Sequence, residues 1–194
     1  MNKDVVYYIL AIFLVSLIAF FVMQVPITTV VGMDDGAVIT INKEHYEIHE
    51  GDHYFIKTFL IDTAGNGSTT YFSFTTPNTS TRIHAKSLFA PDVDTEINIY
   101  ENSIITDGSP ITEQNNDRDS NNTAELVAVA SPTIVVIGDK IWSARNGGGR
   151  NPVRISSGFN YEIVAKTNTT YTFEIIKRTT ADLIIDIDFW WYEE

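Results

Sequence analysis

The sequence contains no cysteine and is poor in positive charge. Without cysteine the chain can form neither a disulfide framework nor a thiolate ligand or nucleophile. Lysine and arginine together number 13 against 25 aspartates and glutamates, which gives a formal net charge of −12 at pH 7. A chain this acidic repels phosphate backbones, so we expect no nucleic acid partner.

Aromatic and β-branched residues, by contrast, are plentiful. Aromatic side chains make up 12% of the 194 residues, and threonine, isoleucine and valine recur throughout. These residue types favour strands over helix bundles. The length suits one domain of ordinary size plus an appendage.

Residues 5–23, VVYYILAIFLVSLIAFFVM, form a long hydrophobic run without a charged residue. At about 1.5 Å per residue, a helix of this length nearly spans the roughly 30 Å hydrocarbon core of a bilayer. The run exceeds the apolar stretch of about 7–15 residues in a signal peptide, and no A-x-A-like cleavage site follows it. We expect an uncleaved anchor helix, inserted either in a membrane or in the core of a protein assembly. Lys3 before the run and Asp34-Asp35 after it favour an N-terminus inside and a large domain outside.

The remainder divides into short β-like runs separated by turn signals. In the final run, Ile185, Ile187, Phe189 and Trp191 alternate with other residues, as a half-buried strand requires. About ten strands at this spacing, with no convincing soluble helix, predict an all-β fold: an antiparallel β-sandwich or jelly-roll-like domain. The predicted organisation is an anchor helix over residues 1–26, a linker over 27–36 and the β domain over 37–194. The predicted strands are 37–41, 53–61, 69–75, 82–89, 95–100, 125–130, 133–142, 161–166, 170–176 and 183–191, with a turn at Asp107-Gly108 between 104–106 and 110–113.

His49-Glu50-Gly51-Asp52-His53 is a literal H-E-x-x-H, the zinc signature of many metalloproteases. That motif requires a helix, which holds its two histidines one turn apart on one face. Gly51-Asp52 is a turn-forming pair, and the flanking tyrosine and isoleucine residues favour strands. In an extended segment the two histidines would lie roughly 13 Å apart, too far for one zinc ion. The favoured interpretation is a strand, a turn and a second strand, without a metal.

No other group of residues predicts a catalytic, cofactor-binding or metal site. Three of the four histidines lie in an acidic patch, for which a solvated strand edge is favoured over a divalent metal site. Residues 117–122, DRDSNN, lack the glycine and terminal glutamate of an EF-hand loop. The aspartates of the final strand are interpreted as its polar outer face. The residues considered are His45, His49, His53, His84, Glu44, Glu47, Glu50, Asp52, Asp182, Asp186 and Asp188.

Two segments stand out by composition. Residues 112–123, TEQNNDRDSNNT, are polar throughout and are predicted to be solvated. Residues 143–152, SARNGGGRNP, carry Arg145 and Arg150 but lack the lysine-hydroxyl ending of a phosphate loop, so a mobile connection is favoured. N-x-S/T sequons, which matter only if the domain meets a glycosylation system, begin at Asn66, Asn78, Asn121 and Asn168.

Trp190, Trp191 and Tyr192 adjoin one another and could form a sugar-binding platform. Neighbouring residues of a strand point to opposite faces, so one of the two tryptophans is predicted to enter the core. Core packing together with a subunit interface is the favoured interpretation.

Several short motifs occur in an order that resembles a family of small all-β structural proteins of tailed-phage virions, associated with head decoration or with the tail. The stretch INIYENSIITDGSPITEQNNDRDS is similar to the family's most specific block, although the first arginine of its N-R…N/D-R pattern is missing at Asn115-Asn116. The resemblance covers residues 45–194, roughly three quarters of the chain, whereas residues 1–33 have no counterpart in the soluble members. The other similar stretches are IHEGDHYF, FTTPNTSTRIHAKSLF, SPTI, the Gly-rich loop, TNTTYTFEI and DFWWYEE.

The resemblance implies an all-β structural subunit displayed on a virion surface, without catalytic activity. The expected partners are copies of the chain itself and other virion proteins, in a homo-oligomer with rotational symmetry. A membrane would be contacted through residues 5–23, and a host-surface glycan is a further candidate ligand. Two alternatives stay open: a pilin-like filament subunit with the helix in the fibre core, and a membrane-anchored module that binds glycans.

Overall fold

The computed structural model describes residues 42–146 and 162–194. The chain divides into two units, Met1–Tyr46 and Glu47–Glu194, and only residues 42–46 of the first are described. The predicted anchor helix, the predicted linker and the predicted strand 37–41 lie outside the described residues. Among the residues that the structure describes, no helix is both long enough and apolar enough to cross a membrane.

The described part of the chain is mostly β structure in antiparallel sheets, with one short helix. The helix α1 spans Lys43–Glu50. The strands are β1 (His53–Asp62), β2 (Thr69–Thr75), β3 (Ile83–Pro91), β4 (Thr95–Glu101), β5 (Ile104–Thr106), β6 (Ser109–Ile111), β7 (Gln114–Asn115), β8 (Val127–Ala130), β9 (Thr133–Val136), β10 (Asp139–Asn146), β11 (Ile163–Ala165), β12 (Thr170–Lys177) and β13 (Leu183–Glu193).

Helix α1 is an element that the sequence interpretation missed, since this segment was predicted to be a strand. Asn42 is its N-cap: the side-chain Oδ1 accepts the backbone amide of His45 at 2.7 Å. A capping asparagine satisfies a donor that the first turn of a helix leaves without a partner. This cap favours a helix over the strand that the tyrosine and isoleucine of the segment suggest.

The C-terminal end of α1 is equally well defined. Gly51 has a φ of 80°, a left-handed conformation that glycine adopts without steric cost. The Gly51 amide donates to the Ile48 carbonyl at 3.1 Å, and the Asp52 amide donates to the Glu47 carbonyl at 2.9 Å. These two bonds form the Schellman motif, which ends a helix. The strand prediction was therefore wrong for residues 46–50, and the turn predicted at Gly51 is a helix terminus.

Two large sheets and one small sheet contain the described strands. Sheet A has the order β11-β3-β13-β1-β7, and sheet B has the order β10-β4-β12-β2-β8-β6. β5 pairs with β9 in a separate two-stranded sheet. Within the described ranges, each strand pair is antiparallel.

The period-2 pattern located most of these strands. β2 has the predicted bounds, and β1, β3, β4, β12 and β13 differ from theirs by one or two residues at an end. The predicted strand 133–142 is two strands, β9 and β10, because Gly138 turns the chain with a φ of 86°. Asp107 and Gly108 have the positive φ of a turn, but β5 and β6 pair with β9 and β8 rather than with each other.

A hydrophobic core joins sheet A to sheet B. Phe74 of β2 and Phe189 of β13 approach with ring centroids 4.8 Å apart, and Phe89 of β3 approaches Phe173 of β12 at 4.7 Å. Burying a large apolar side chain contributes about 1.5–3 kcal/mol, so these contacts hold the sheets together. The predicted core face of the final strand is confirmed, because Ile185, Ile187, Phe189 and Trp191 are all buried there.

Candidate functional site

The H-E-x-x-H segment does not form one helix face. His49 lies in α1, but the helix ends at Glu50 and His53 is the first residue of β1. A zinc motif of this type needs both histidines on the same helix. His53 is buried, and its Nδ1 contacts the side-chain amide of Asn116. Across residues 42–146 and 162–194 no group of three or more His, Cys, Asp or Glu side chains could hold a metal ion.

The acidic, histidine-bearing patch is not the solvated strand edge that was predicted. His45, Glu47 and His49 belong to α1, and Glu47 is buried. His53 begins β1, inside sheet A. The capping residues Asn42 and Gly51 are the sequence signal that would have predicted a helix for His45, Glu47 and His49 and a separate element for His53.

The polar segment 112–123 was predicted to be solvated, and none of its residues is buried, although parts of it are held against sheet A and the turn before β1. Gln114–Asn115 forms β7, which pairs with β1 at the edge of sheet A. The Asn115 amide donates to the Gly51 carbonyl at 2.6 Å, and the Asn122 amide donates to Asp52 Oδ1 at 3.0 Å. Asparagine side chains can satisfy backbone and carboxylate acceptors within a fold, so an exposed polar segment can still be held against the rest of the domain.

His84 of β3 belongs to a titratable cluster beside Tyr192 of β13. Its Nδ1 lies 2.7 Å from Glu162 Oε1 and its Nε2 lies 3.2 Å from Glu194 Oε2, the second contact being too poorly aligned for a hydrogen bond. The Tyr192 ring stacks on His84 at 4.5 Å, and its hydroxyl donates to Glu162 Oε1 at 2.9 Å. Burial, together with the acceptor Glu162, raises the pKa of Tyr192. The stack of Tyr192 on His84, with Glu162 contacting both side chains, links β13 to β3 at this end of sheet A.

An open cleft of about 460 Å³ lies beside the end of β13. Its most strongly held carboxylate is Glu193, whose Oε1 accepts from the amides of Glu125 at 3.0 Å and Leu126 at 3.2 Å. The indole Nε1 of Trp191 donates to the same oxygen at 3.0 Å. Burial raises the pKa of the Glu193 carboxyl in spite of these donors. The lining is Asp52, Tyr54, Thr81, Asn121, Asn122, Thr123, Glu125, Glu193 and Glu194.

The carboxylates of the cleft already have donors from the chain itself. Glu125 accepts the hydroxyl of Thr79 at 2.8 Å and the hydroxyl of Thr81 at 3.1 Å. Asp52 accepts the amide of Asn122. The cleft is therefore lined by polar and charged side chains, several of which already bond within the chain.

The outer face of sheet A, opposite the core, carries large apolar side chains. Phe59 and Ile61 of β1 are 59% and 57% exposed, and Ile184 of β13 is 46% exposed. The strand register places Ile61 beside Ile184. Exposed apolar residues grouped in this way mark interaction surfaces more often than single ones do. Phe55, Leu88 and Trp190 lie half-buried on the same face.

The outer face of sheet B is polar. Ser73 and Thr172 share a hydrogen bond of 2.9 Å between their hydroxyls. Glu174 Oε2 accepts the Asn98 amide at 2.9 Å and the Tyr100 hydroxyl at 3.0 Å. Burial and the nearby Glu174 raise the pKa of Tyr100 to about 12. The sides of the two sheets that lie away from the shared core therefore differ in composition, although Ser73, Asn98 and Thr172 are themselves buried.

The structure also places the tryptophans, the arginines and the sequons singled out in the sequence. Trp191 enters the core while Trp190 stays half-buried on the outer face of sheet A, which confirms the predicted division between the two tryptophans. Arg145 lies in β10 and pairs with Asp94 at 3.1 Å, so it is not a loop residue, and Arg150 lies outside the described residues. The sequon asparagines Asn66, Asn78, Asn121 and Asn168 are all exposed.

No family model matches the chain. No curated protein matches it either. Among solved structures, the chain is similar to one described as "Structure of infectious bursal disease virus Gx strain", at 14% identity and a TM-score of 0.15. That match covers 86% of this chain and 45% of the other. A TM-score this low carries no argument about fold or function.

Proposed function

We propose that this chain is a viral structural protein: a jelly-roll β-sandwich displayed on a virion surface. In this proposal the domain acts by packing against copies of itself and against other virion proteins, and no chemical step is involved. Residues 5–23 would anchor it, in lipid or in a protein core.

The order of the strands is the observation that carries the proposal. Eight strands, β1–β4 and β10–β13, can be numbered 1 to 8 along the chain. Sheet A then has the order 6-3-8-1, and sheet B has the order 5-4-7-2. A jelly roll pairs its eight strands in this way, because its chain forms two interlocked Greek keys. Viral capsid and lectin domains are among the proteins that use the jelly roll.

A fold alone does not fix a function, so a second observation is needed. The apolar outer face of sheet A supplies it, since exposed Phe59, Ile61 and Ile184 would be costly for a domain that stays alone in water. Self-association would cover that face. The sequence resemblance to virion proteins supports the same role.

The location of the protein tests the proposal. Virions and membranes purified from producing cultures would be analysed by mass spectrometry for peptides of residues 42–146. We expect these peptides in the virion fraction at a fixed ratio to the other structural proteins. Recovery only from uninfected cells, as polymerised fibres, would contradict the virion assignment and favour a pilin-like subunit.

Binding of a glycan is a second candidate function, and the polar cleft favours it. Hydroxyl, amide and carboxylate side chains line the cleft, which is the chemistry that recognises polyhydroxylated ligands. The full chain would be assayed on a glycan array beside Asn121→Ala, inside the cleft, and Asn66→Ala, in a distant turn. Binding lost only in Asn121→Ala would support this candidate, whereas an absence of binding by the unaltered chain would reject it.

A further inference from the structure

We propose that His84 is a proton-controlled clamp at one edge of sheet A. When its ring is protonated, it binds Glu162 and Glu194 and so fastens the edge strand β11 and the end of β13 to β3. When the proton is lost, the start of β11 loosens. The inference goes beyond the proposed function and does not depend on it. Two observations carry it: a carboxylate at each nitrogen of the ring, and the way in which the start of β11 is attached.

A carboxylate faces each nitrogen of the His84 ring. Nδ1 lies 2.7 Å from Glu162 Oε1 and Nε2 lies 3.2 Å from Glu194 Oε2, while the side chain of His84 is only 13% exposed. A neutral imidazole carries one hydrogen, so one of its nitrogens would present a lone pair to a carboxylate. The protonated ring has a hydrogen on both nitrogens and places a positive charge between two negative ones. The geometry therefore fits the imidazolium better than either neutral tautomer.

The backbone holds both carboxylates beside the ring. Arg82 and Glu194 exchange two amide–carbonyl hydrogen bonds of 2.8 and 3.0 Å, which continue the pairing of β3 with β13. Val164 of β11 pairs with His84, and Glu162, two residues earlier, therefore lies on the same side of the sheet. The strands on both sides of β3 thus supply one partner each.

Tyr192 supports the contact with Glu162. Its ring stacks on His84 with centroids 4.5 Å apart, and its hydroxyl donates to Glu162 Oε1 at 2.9 Å. Burial, and then the hydrogen bond with Glu162, raise the pKa of Tyr192, so its hydroxyl remains a donor at neutral pH. The other titratable or charged groups around this cluster are His53 of β1, which stacks on Tyr192 at 6.4 Å, Glu47 of α1, and Arg82 and Lys86 on the same side of β3.

The two ends of β11 are attached differently. After its last residue, the Lys166 amide donates to the Tyr171 hydroxyl at 2.9 Å, and the Lys166 carbonyl accepts the Thr76 hydroxyl at 2.6 Å. At its start, the side chain of Glu162 contacts His84 and Tyr192. Within the described residues, β3 is the strand with which β11 pairs, over three residues. A change of charge at His84 therefore acts on the start of an edge strand.

The direction of the effect follows from where the proton binds. Histidine is the side chain that ordinarily changes its charge between pH 5 and 8, whereas glutamates are ionised over most of that range. The fastened edge holds the proton of His84, so the attachment is complete at the acid end of the range and is lost as the pH rises. His53 also titrates as a histidine, but the Tyr192 ring separates it from His84 in the register of β1, β13 and β3.

Amide hydrogen exchange tests the clamp. Protection of the β11 amides would be measured by NMR on the full chain in mild detergent from about pH 5.5 to about pH 8, relative to an unstructured chain at the same pH. We expect protection in the unaltered chain to fall about three- to tenfold over this range, as a partly exposed ion pair allows. His84→Gln should show the lower protection at every pH, and His84→Lys, which stays charged, should show no dependence on pH. His49→Gln, which removes an exposed histidine of α1, should keep the dependence of the unaltered chain.

Sheet B provides the internal reference. Phe72 of β2 and Phe173 of β12 are fully buried and paired, and we expect the protection of their amides to stay constant over the same pH range. A fall at β11 that Phe72 and Phe173 share would mean that the whole domain loosens, and it would overturn the inference. Equal protection of β11 at both ends of the pH range would overturn it too, as would an unchanged pH dependence in His84→Gln. Circular dichroism would verify folding. If His84→Gln does not fold, a pH dependence that survives in His84→Lys decides against the clamp.

Discussion

The ammonium group of Lys177 is fully buried and donates to the backbone carbonyl of Asp62 at 3.1 Å. The same Nζ donates to the carbonyl of Ala64 and lies 3.9 Å from the Asp62 carboxylate. Lys177 ends β12, whereas Asp62 ends β1, so the contact joins sheet B to the first connection leaving sheet A. A charge in this position is stable only while its partners remain.

Replacing Lys177 with methionine is therefore expected to destabilise the domain. The substitution keeps the approximate length of the side chain but removes the donor to the Asp62 and Ala64 carbonyls and the positive charge near the Asp62 carboxylate, which costs about 3 kcal/mol. Lys57→Met removes an exposed ion pair with Asp188 and should cost less than about 1 kcal/mol. Urea unfolding followed by tryptophan fluorescence would measure both. Equal losses for the two variants would contradict the role given to Lys177.

Two glycines with the same backbone angle offer a matched comparison. Gly67 and Gly138 both have a φ of 86°, but nothing lies within 4 Å of an added Cβ at Gly67. At Gly138 an added Cβ would collide with the Glu101 carbonyl and lie 2.9 Å from the Ser103 amide nitrogen. Gly67→Ala should therefore cost only backbone strain, about 1–2 kcal/mol. Gly138→Ala should cost more, because β4 must also move away from the turn before β10.

Thermal unfolding of both glycine variants would check this difference. The prediction requires Gly138→Ala to have the lower melting temperature of the two. A similar loss in both would mean that the turn at Gly138 can open without disturbing the β4–β10 pair.

Tyr100, on the polar outer face of sheet B, gives a third prediction. Its pKa is raised to about 12 by burial and by Glu174, which accepts the phenol hydrogen. Glu174→Gln removes the carboxylate charge while keeping an acceptor, so the Tyr100 pKa should fall towards its ordinary value of 10.0. Glu113→Gln serves as the control, because Glu113 is distant in the sequence from Tyr100 and Glu174 and does not contribute to the raised pKa of Tyr100. Alkaline titration by NMR of labelled tyrosine would measure the change, and an unaltered pKa would show that burial alone is responsible.

The sequence was most informative where burial alternates along a strand. The pattern of Ile185, Ile187, Phe189 and Trp191 predicted their common face, because side chains of a strand alternate with a period of two. Helix α1 was missed, although Asn42 and Gly51 carry the capping signals at its ends. Propensity favoured a strand there, and the local hydrogen bonds of the two caps decided otherwise.

Which strands would pair could not be predicted from one sequence. β1 pairs with β13, from residue 53 to residue 192, and no local signal joins strands so far apart in the chain. The apolar outer face of sheet A was hidden for the same reason. Phe59 and Ile61 are exposed, but β1 has apolar residues on both faces, so its sequence does not indicate which face is exposed. Only the pairing of β1 with β13 shows that Ile184 lies next to Ile61.

Glu193, whose pKa is raised mainly by burial in the cleft, gives the last prediction. The folded chain then holds the proton to a higher pH than the unfolded chain, whose glutamate titrates near its ordinary value of 4.5. The contribution of Glu193 to stability is therefore complete below that pH and is lost as the pH rises through the raised pKa. Glu193→Gln cannot titrate. The free energy of unfolding of Glu193→Gln minus that of the unaltered chain should therefore increase as the pH rises above 4.5 and then reach a plateau.

Urea unfolding of both chains at a series of pH values would measure this difference. Gln at position 193 accepts fewer of the donors from Glu125, Leu126 and Trp191, which shifts the stability by a constant amount, so only the dependence on pH is diagnostic. Asp119→Asn, an exposed substitution, controls for the loss of one negative charge from an acidic chain. A difference that stays flat with pH for Glu193→Gln would mean that the donors around this carboxylate fully offset the cost of its burial, and a difference of the opposite sign would mean that they outweigh it.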